Sequence, residues 1–453
     1  MSADRLFAHI VTTDDLLAAT GDRAWLRALL DAEAALARAE AQAGVIPAAA
    51  AAAITAACRS AQFDPDQIGR EARGGGNPVI PLVQRLGEVV GPAGREWVHW
   101  GATSQDIVDT AAVLVARRAG RLISGKLEVL AEGCAGLAVE HRRSVMVGRT
   151  LLQPALPITF GLKAAEWLLG VTDCRAALHG AITSLPAQLG GAAGTLASLA
   201  ERGPAVVAAF AAELDLPEPV MPWHTARQPL AALAGALGVS AGTAAKISGD
   251  VALLMQSEVA EAFEPSAPGR GGSSTLPHKR NPVGAAAVGA AARRATALVG
   301  LFHESVAGEH ERHLVSWPVE WQTLGELLAL AGGAVARTAE TVSGLEVDTA
   351  AMADRVGRLA GSLLAERVSL ALADRLGRAG ARRSVTEAGR AAVDSTAAAL
   401  RAALLSDPAV AEVLTGAELD ELLDPAGYLG SCDVWIDRAL LRHSALPPTA
   451  AGG

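Results

Sequence analysis

The sequence predicts an all-α protein, and three observations carry this prediction. Hydrophobic residues make up 51% of the 453 residues while aromatic residues make up only 3%, so small and aliphatic side chains must fill the core. Alanine and leucine, which are prominent among them, are strong helix formers. Apolar residues also recur every three to four positions over long stretches, which is typical of helices with one buried face. The length suggests about three domains.

The first helices are predicted in the N-terminal part of the chain. A cap-like start at residues 12–15 precedes a helical pattern, and a second, alanine-rich helix runs to about Ala61. The glycines at 74–76 and Pro78 then interrupt the helical pattern. Asn77 lies in this loop, where asparagine is a typical turn residue.

Five longer helical segments follow, which is enough for a helix bundle. The first begins after residues 99–106, contains no proline and has apolar residues at the spacing of a buried stripe. After Leu345 the segments shorten, and breaks at 377–380 and 424–427 predict a small C-terminal helical domain. The five segments are predicted at about residues 107–143, 160–182, 229–264, 284–307 and 319–342. The predicted domains are residues 1–105, 106–345 and 346–453.

Charge and composition exclude several classes of protein. The net charge is −9 at pH 7, from 39 basic and 48 acidic residues, which disfavours nucleic acid as a partner because phosphate binding needs a basic field. The four cysteines are far apart and show no metal-ligand spacing. No signal-peptide pattern is present, and the charge-free stretches at 180–200 and 228–245 contain too many small and polar residues to predict membrane helices. We expect a soluble, cytoplasmic protein.

Residues 269–282, with the sequence GRGGSSTLPHKRNP, stand between two apolar runs. Glycines allow a backbone to approach a ligand closely, and hydroxyl groups, Lys279, Arg280 and Asn281 follow them before a predicted helix. Because helix N-termini and cations favour anions, the loop suits a substrate with several carboxylates. A flexible linker with solvated charges explains the same composition. No P-loop or dinucleotide fingerprint is present, so nucleotide binding is disfavoured.

A second polar cluster, HWGATSQD at residues 99–106, precedes the first long helix. Helix capping explains one of its side chains. It does not explain why His99, Thr103, Ser104 and Gln105 occur together, and four hydrogen-bonding groups at one helix start also suit an anionic ligand. Both interpretations stay open on these residues alone.

A third cluster, GRTLLQPALP at residues 148–157, precedes the second long helix, and its prolines exclude a continuous helix there. Thr150 and Gln153 are, taken alone, typical turn residues. Two more polar groups lie at helix ends, at residues 223–227 and 309–313. The latter, EHERH, lacks the His-Glu-x-x-His pattern of a zinc site and is typical of a polar surface turn.

Taken together, the polar clusters resemble the signature regions of the fumarase/aspartase superfamily. Residues 272–282 resemble the signature G-S-S-x-M-P-x-K-x-N-P, with Leu276 in the usual place of methionine. Residues 99–106 resemble the first signature region and residues 150–155 the second. Residues 424–430 also resemble the C-terminal part of the adenylosuccinate lyase branch. The order of the regions and the lengths between them fit across nearly the whole chain.

Within the superfamily, residues 22–26, 76–83 and 150–153 are most similar to the branch of 3-carboxy-cis,cis-muconate cycloisomerases. Leu151 stands where fumarate-releasing lyases typically carry a catalytic histidine, and Asn77 stands where adenylosuccinate lyases carry another. An acid that protonates a leaving amine is therefore lacking. The resemblance implies conversion of 3-carboxy-cis,cis-muconate to 4-carboxymuconolactone, in which a carboxylate oxygen adds across a double bond and a carbanion intermediate takes up a proton.

Roles for individual residues come from this resemblance. Ser273, the first serine of the pair, is implied as the proton carrier, and Lys279 and Asn281 as the groups that stabilise the carbanion. A serine hydroxyl is a poor acid or base, so neighbouring cations must tune it. The resemblance implies no metal and no organic cofactor. The residues implied to bind the substrate are Asn77, His99, Thr103, Ser104, Gln105, Thr150, Gln153, His224, Arg227 and Ser274.

The resemblance also implies three helical domains, of which the middle one supplies five helices to a 20-helix core in a homotetramer. Each active site then takes its three regions from three subunits. Residues 225–228 and 317–320 differ from the cycloisomerase pattern, so two alternatives stay open. One is a carbon–nitrogen lyase that releases fumarate from a substituted succinate of the adenylosuccinate or nitrosuccinate type. The other is a helical scaffold without catalysis.

Overall fold

The computed structural model describes residues 6–267, 269, 271–272, 276 and 279–447. Within this part the regular secondary structure is helical apart from two short strand pairs, so the all-α prediction is confirmed. The predicted roles of Ser273 and Ser274 lie outside the described residues. The N-terminal helices are α1 (Ala8–Val11), α2 (Asp14–Thr20), α3 (Asp22–Gln42), α4 (Ala48–Ser60), α5 (Pro65–Gly75) and α6 (Val79–Val90).

The described central part of the chain contains six helices, five of which have 23 residues or more. Its helices are α7 (Ser104–Glu140), α8 (Phe160–Thr183), α9 (Gly203–Glu213), α10 (Gln228–Leu254), α11 (Val283–Ser305) and α12 (Ser316–Ser343). The C-terminal helices are α13 (Thr349–Ala391), α14 (Ala397–Leu405), α15 (Pro408–Ala411), α16 (Gly416–Leu422) and α17 (Cys432–Ser444). Short 3-10 helices lie at Arg95–Trp97, Ala197–Arg202 and Pro425–Gly427. The strands β1 (Val145–Thr150) and β2 (Gln153–Thr159) form one antiparallel pair, and β3 (Ala262–Phe263) and β4 (Glu346–Val347) form another.

The five predicted long helices are α7, α8, α10, α11 and α12, and they pack into one bundle. Their observed bounds lie within a few residues of the predicted ones, except that the third ends at Leu254. The apolar pattern continues beyond Leu254, but Ala260 takes a positive φ of 51° and the chain then enters β3. Pairing of β3 with β4 therefore overrides the helical pattern at this point.

The bundle has two ends, which we call the head and the tail. The head comprises residues 99–106, 185–192, 223–228 and 306–317, which meet around the first turn of α7. The tail comprises the β1–β2 hairpin, the described residues among 255–282 and residues 344–348, which are joined by a salt bridge between Arg149 and Glu261 and by the β3–β4 pair. Because α10 and α12, with 27 and 28 residues, each run from one end to the other, the head and tail lie about 40 Å apart.

The described part of the chain contains two separate hydrophobic cores. One core is continuous through the N-terminal helices and the bundle, and it includes Ile436 of α17, which returns to pack on α8. A second core lies among residues 356–423. As predicted, the helices shorten after Leu345: α14 to α17 have 4 to 13 residues, and a kink divides the 43 residues of α13. The predicted break is present inside it, since Gly377 takes a positive φ of 70° that favours glycine. The domain boundaries stay predictions.

Two bundle helices, α10 and α11, have apolar faces that the described part of the chain does not cover. Both are long and apolar enough to cross a membrane by length and composition, but part of each is buried in the bundle core, as in core helices of soluble proteins. Only 44% of the most apolar window of α10 and 33% of that of α11 is buried. An open groove of about 640 Å³ runs between them, lined largely by glycine and alanine, which are residues that allow close helix packing. These faces remain available for contacts with other protein surfaces.

Candidate active site

Asp106 organises the head by accepting four hydrogen bonds in a buried position. Its carboxylate accepts from the backbone N–H groups of Thr103 (2.9 Å), Gly190 (2.8 Å) and Gly191 (2.9 Å). It also accepts from Nε2 of His224 at 2.7 Å. The bond to Thr103 belongs to a capping box at the start of α7. His224 therefore lies at the head, and its described side-chain bond holds the loop before α10 against α7; its predicted contact with substrate stays a prediction.

Gln105 is buried, and its amide group has partners on both sides. Its Nε2 donates to Asp109 Oδ2 at 3.1 Å and to the carbonyl oxygen of His224 at 2.9 Å. Its Oε1 accepts from Nε of Arg312 at 3.0 Å. Arg312 also donates to the carbonyl of Ala192 at 3.1 Å, and among the described residues no carboxylate pairs with it. The described contacts of Gln105 thus hold a cation at the head.

Arg227 is 1% exposed and uses its guanidinium group inside the subunit. It contacts both carboxylate oxygens of Asp109, at 2.7 and 3.1 Å. It also donates to both carboxylate oxygens of Glu320, one of them at 3.1 Å, and it lies 4.8 Å from the ring centre of Trp223. Burial raises the pKa of Glu320 although Arg227 beside it acts in the opposite direction. Arg227 therefore joins α7, α10 and α12, and all of its N–H groups have partners in the chain.

His99 lies on the side of the head that faces the N-terminal helix α3. Its φ of 61° is in the left-handed region, which is uncommon for residues other than glycine. Its Nδ1 donates to Oε1 of the buried Glu33 at 2.7 Å. Burial alone lowers the pKa of His99, but the charge and hydrogen bond of Glu33, together with the charge of Asp106, outweigh burial and raise it above the ordinary value. Thr103 and Ser104 lie beside this group and are partly exposed.

Asn77 has a structural partner in the loop before α6. Its side-chain Oδ1 accepts from the backbone N–H of Val79 at 3.1 Å, and the residue is nearly buried. This is the turn contact that the residue type favours in such a loop. A substrate contact by Asn77 stays a prediction.

At the tail, the β1–β2 hairpin presents two leucines in an unusual conformation. Thr150 pairs with Gln153, so Leu151 and Leu152 form a two-residue loop. Both have positive φ values, 49° and 65°, which type I′ turns require and which favour asparagine and glycine. The two side chains are 97% and 70% exposed. Strained backbone that carries exposed apolar side chains is typical of a functional contact.

The described residues of the 269–282 loop are fastened at its base. Asn281 donates from its backbone and its side chain to the carbonyl of Gly271, at 2.9 and 3.0 Å. Gly271 has a φ of 66°, and a Cβ there would lie 2.6 Å from the carbonyl oxygen of Asn281, so glycine is required. Arg280 pairs with Glu346 at 2.8 and 3.0 Å. Lys279 is exposed between these fixed points.

The start of α11 differs from the anion site that the sequence predicted. The backbone N–H groups of Gly284 and Ala285 already donate to the carboxylate of Glu264, at 3.0 and 2.8 Å. A substrate carboxylate therefore cannot use these two amides while Glu264 holds them. The prediction that this helix N-terminus binds the anion is wrong for Gly284 and Ala285, because an acidic side chain of the tail occupies the position.

One chain does not bring all predicted site residues together. The head contains His99, Thr103, Ser104, Gln105, His224 and Arg227, whereas the tail contains Thr150, Gln153, Lys279 and Asn281. The hairpin strand β2 has 7 residues and reaches about 23 Å, which is well short of the distance between head and tail. Within one chain the predicted residues of the two ends therefore stay apart. Among the described residues, no three His, Cys, Asp or Glu side chains are grouped to hold a metal ion.

Two residues at the head were not found from the sequence. Glu33 lies 66 residues before His99 in the chain, so no local pattern connects the two. Arg312 lies in the EHERH segment, which by itself is typical of a surface turn. The position of this segment at a helix end was the one feature of the sequence that pointed to Arg312.

Comparison with known proteins agrees with this architecture. The lyase family model matches residues 9–297, and the model of the adenylosuccinate lyase C-terminus matches residues 361–439. A 3-carboxy-cis,cis-muconate cycloisomerase from Pseudomonas aeruginosa is 46% identical over 98% of this chain and 97% of its own length. A nitrosuccinate lyase from Streptomyces davaonensis is 42% identical over 93% of this chain and 91% of its own length.

A solved structure gives the same result. The crystal structure of the 3-carboxy-cis,cis-muconate lactonizing enzyme from Pseudomonas putida matches with a TM-score of 0.91 and 42% sequence identity. The match covers 97% of this chain and 99% of that chain. The chain therefore belongs to the lyase family of the fumarase/aspartase superfamily, in the group that includes the 3-carboxy-cis,cis-muconate cycloisomerases.

Proposed function

We propose that this protein is a 3-carboxy-cis,cis-muconate cycloisomerase that forms 4-carboxymuconolactone. The observation that carries the proposal is the hairpin tip, where Leu151 and Leu152 provide no acid or base, within a chain whose full length matches such enzymes. Breaking a carbon–nitrogen bond benefits from an acid that protonates the leaving amine. Closing a lactone releases no leaving group, so an apolar hairpin tip suits it.

The reaction needs one bond to form and one proton to move. A carboxylate oxygen of the substrate bonds to a carbon of the double bond, and the electron pair moves onto the neighbouring carbon and its carboxylate. Lys279 and Asn281 stabilise that negative charge, and Ser273 delivers a proton to the carbon. Because the proton adds to the substrate and no group leaves, substrate and product have the same mass once charge states are equal. No step in this sequence requires a metal or an organic cofactor.

The remaining polar residues hold the substrate's carboxylates. At the head, His99, Thr103, Ser104 and Arg312 provide donors, and Gln105 holds Arg312 in position. At the tail, Thr150 and Gln153 flank the hairpin tip, and Ser274 follows Ser273 in the loop. We assign Asp106, His224 and Arg227 to positioning the head, since their described contacts lie inside the chain.

We further propose a cytoplasmic homotetramer in which the head of one subunit meets the tails of two others. The separation of about 40 Å between head and tail within a chain supports sharing, because it keeps the residues of the two ends apart. The uncovered apolar faces of α10 and α11 supply surfaces for contacts with other copies. Antiparallel contact of such helices places opposite bundle ends side by side.

The test is an assay with 3-carboxy-cis,cis-muconate. We expect loss of the conjugated-diene absorbance, with a product of unchanged mass that NMR identifies as the lactone. Ser273→Ala should form the same oligomer and lose most turnover. An oligomeric wild-type protein that leaves the diene intact would contradict the proposal.

A carbon–nitrogen lyase of the nitrosuccinate type is the second candidate. A relative at 42% identity has that name, and nitrite is a leaving group that needs little help from an acid. This candidate predicts release of fumarate and nitrite from nitrosuccinate, through Ser273 and Lys279. Parallel assays with the two substrates decide between the reactions. A scaffold without catalysis predicts that Ser273→Ala changes nothing in either assay.

A further inference from the structure

Helix α3 contains two buried glutamates whose surroundings differ. Glu33 and Glu40 lie about two helical turns apart, and both are almost fully buried, which is rare for this residue type. Among the described residues, neither carboxyl oxygen of Glu40 has a hydrogen-bond partner. Burial, followed by the charge of Glu33, raises the pKa of Glu40 to about 9, so Glu40 is neutral at neutral pH. Glu33, in contrast, accepts a hydrogen bond from His99.

The contact between Glu33 and His99 has the geometry of an ion pair. The distance of 2.7 Å between His99 Nδ1 and Glu33 Oε1 is typical of a charge-assisted hydrogen bond. The other oxygen of Glu33 is buried and has no partner in the described part of the chain. A buried carboxylate in this state requires a nearby cation, and the imidazolium of His99 is the group placed to provide it.

The rest of His99 is directed away from this contact. Its second ring nitrogen, Nε2, has no partner among the described residues, and 17% of the side chain is accessible. His99 has a left-handed backbone conformation, and its ring lies between buried Glu33 and solvent. When Glu33 engages Nδ1, the remaining N–H of the charged ring is available to an anion.

We propose that Glu33 is a positioning residue that holds His99 as an imidazolium, so that His99 Nε2–H binds a carboxylate of the substrate. The inference rests on the proposed function only in that the ligand is a polycarboxylate. In this arrangement His99 is a binding cation and not a general base. Both ring nitrogens are protonated, and the Nδ1 proton is held in the hydrogen bond to Glu33.

Among the described residues, Glu33 and Asp106 are the charged groups that raise the pKa of His99, and they set the expected pH dependence. Glu33 of α3 raises its pKa most strongly after the opposing effect of burial, and Asp106 of α7 contributes less. Asp106 is itself satisfied by His224 and three backbone amides. Polycarboxylate binding should therefore be strong below the raised pKa of His99 and weaken as pH rises through it. Without Glu33, burial dominates, and the weakening should begin below the ordinary imidazole pKa of about 6.5.

Isothermal titration of the oligomeric protein with tricarballylate, a saturated tricarboxylate that cannot react, tests this from about pH 5.5 to about pH 9. In Glu33→Gln we expect the midpoint of the pH dependence to fall by about one pH unit or more, the effect of removing an adjacent carboxylate. Binding near neutral pH then weakens about tenfold. Glu40→Gln, a change of the same kind on the same helix, should bind like the wild type at every pH. Glu33→Asp should recover part of the shift.

His99→Gln provides a second test at a partly exposed position, in case Glu33→Gln does not fold. It should bind tricarballylate weakly and without the pH step. An unchanged pH profile in either folded variant overturns the proposal, and so does a wild-type protein that does not bind tricarballylate. Because this ligand is not turned over, a missing cycloisomerase activity with a Glu33-dependent pH profile would sink the proposed reaction and leave this inference standing.

Discussion

Arg227 and Arg312 lie at the same end of the bundle and have opposite environments. Arg227 is buried between two carboxylates, whereas Arg312 is partly exposed and is held by neutral groups. A buried cation that neutralises two carboxylates is needed for folding, because its removal leaves uncompensated charge. An accessible cation held by neutral groups keeps its charge for a ligand.

We expect Arg227→Met to lower the free energy of unfolding by about 3–5 kcal/mol, the effect of breaking a buried ion pair by removing one partner. Thermal unfolding should show a large fall in the midpoint. Arg312→Met is the matched control, and it should unfold near the wild-type temperature while KM for the substrate rises about tenfold or more, the loss of one charged contact. Similar thermal midpoints for the two variants would contradict this division of roles.

Glu40 predicts a pH dependence of stability with a definite sign. An unfolded glutamate releases its proton near pH 4.5, whereas folded Glu40 retains it up to about pH 9. Between these values the folded state binds the additional proton, so stability falls as pH rises, by at most about 1.4 kcal/mol per pH unit. In Glu40→Gln the thermal midpoint should fall less steeply between about pH 6 and pH 8.5. The exposed Glu88→Gln is the control, and equal slopes in all three proteins would refute the assignment.

At the scale of elements, a change at the tip of the β1–β2 hairpin should affect stability and turnover in different directions. Two leucines in left-handed conformations cost about 1–2 kcal/mol each relative to residues that tolerate it. Replacing Leu151–Leu152 by Asn–Gly should therefore keep or raise the thermal midpoint. The same change removes the exposed apolar tip, and we expect turnover to fall about tenfold or more, a loss typical of a displaced active-site contact. Full activity in the Asn–Gly variant would show that the tip is not part of the site.

The helices of the bundle could be predicted from sequence because their apolar periodicity is a local property. The end of α10 could not be predicted in this way. The chain leaves the helix after Leu254, and β3 then pairs with β4, which lies far along the chain. The same limit applies to the site. Lys279 and Thr150 were identified by motif, whereas Glu33 and the Glu264 cap of α11 depend on contacts between distant parts of the chain.

At the scale of the whole molecule, the separation of head and tail predicts complementation between variants. His99→Gln alters the head, and Lys279→Ala alters the tail. If each site combines a head and a tail from different subunits, mixed oligomers of the two weak variants contain some sites with neither change. We expect joint refolding or co-expression to recover activity above the sum of the separate variants. Native mass spectrometry should confirm mixing, and mixed oligomers without recovered activity would exclude sharing between subunits.

If subunits share their sites as proposed, the separation of head and tail also affects how turnover depends on the amount of protein in a cell. A subunit that has no neighbour then contains a head and a tail but no complete site. Near the dissociation concentration of the oligomer, doubling the number of chains therefore more than doubles the number of working sites. Expression of the protein then acts as a threshold: small leaky synthesis produces almost no lactone, and induction above the threshold produces a disproportionate flux.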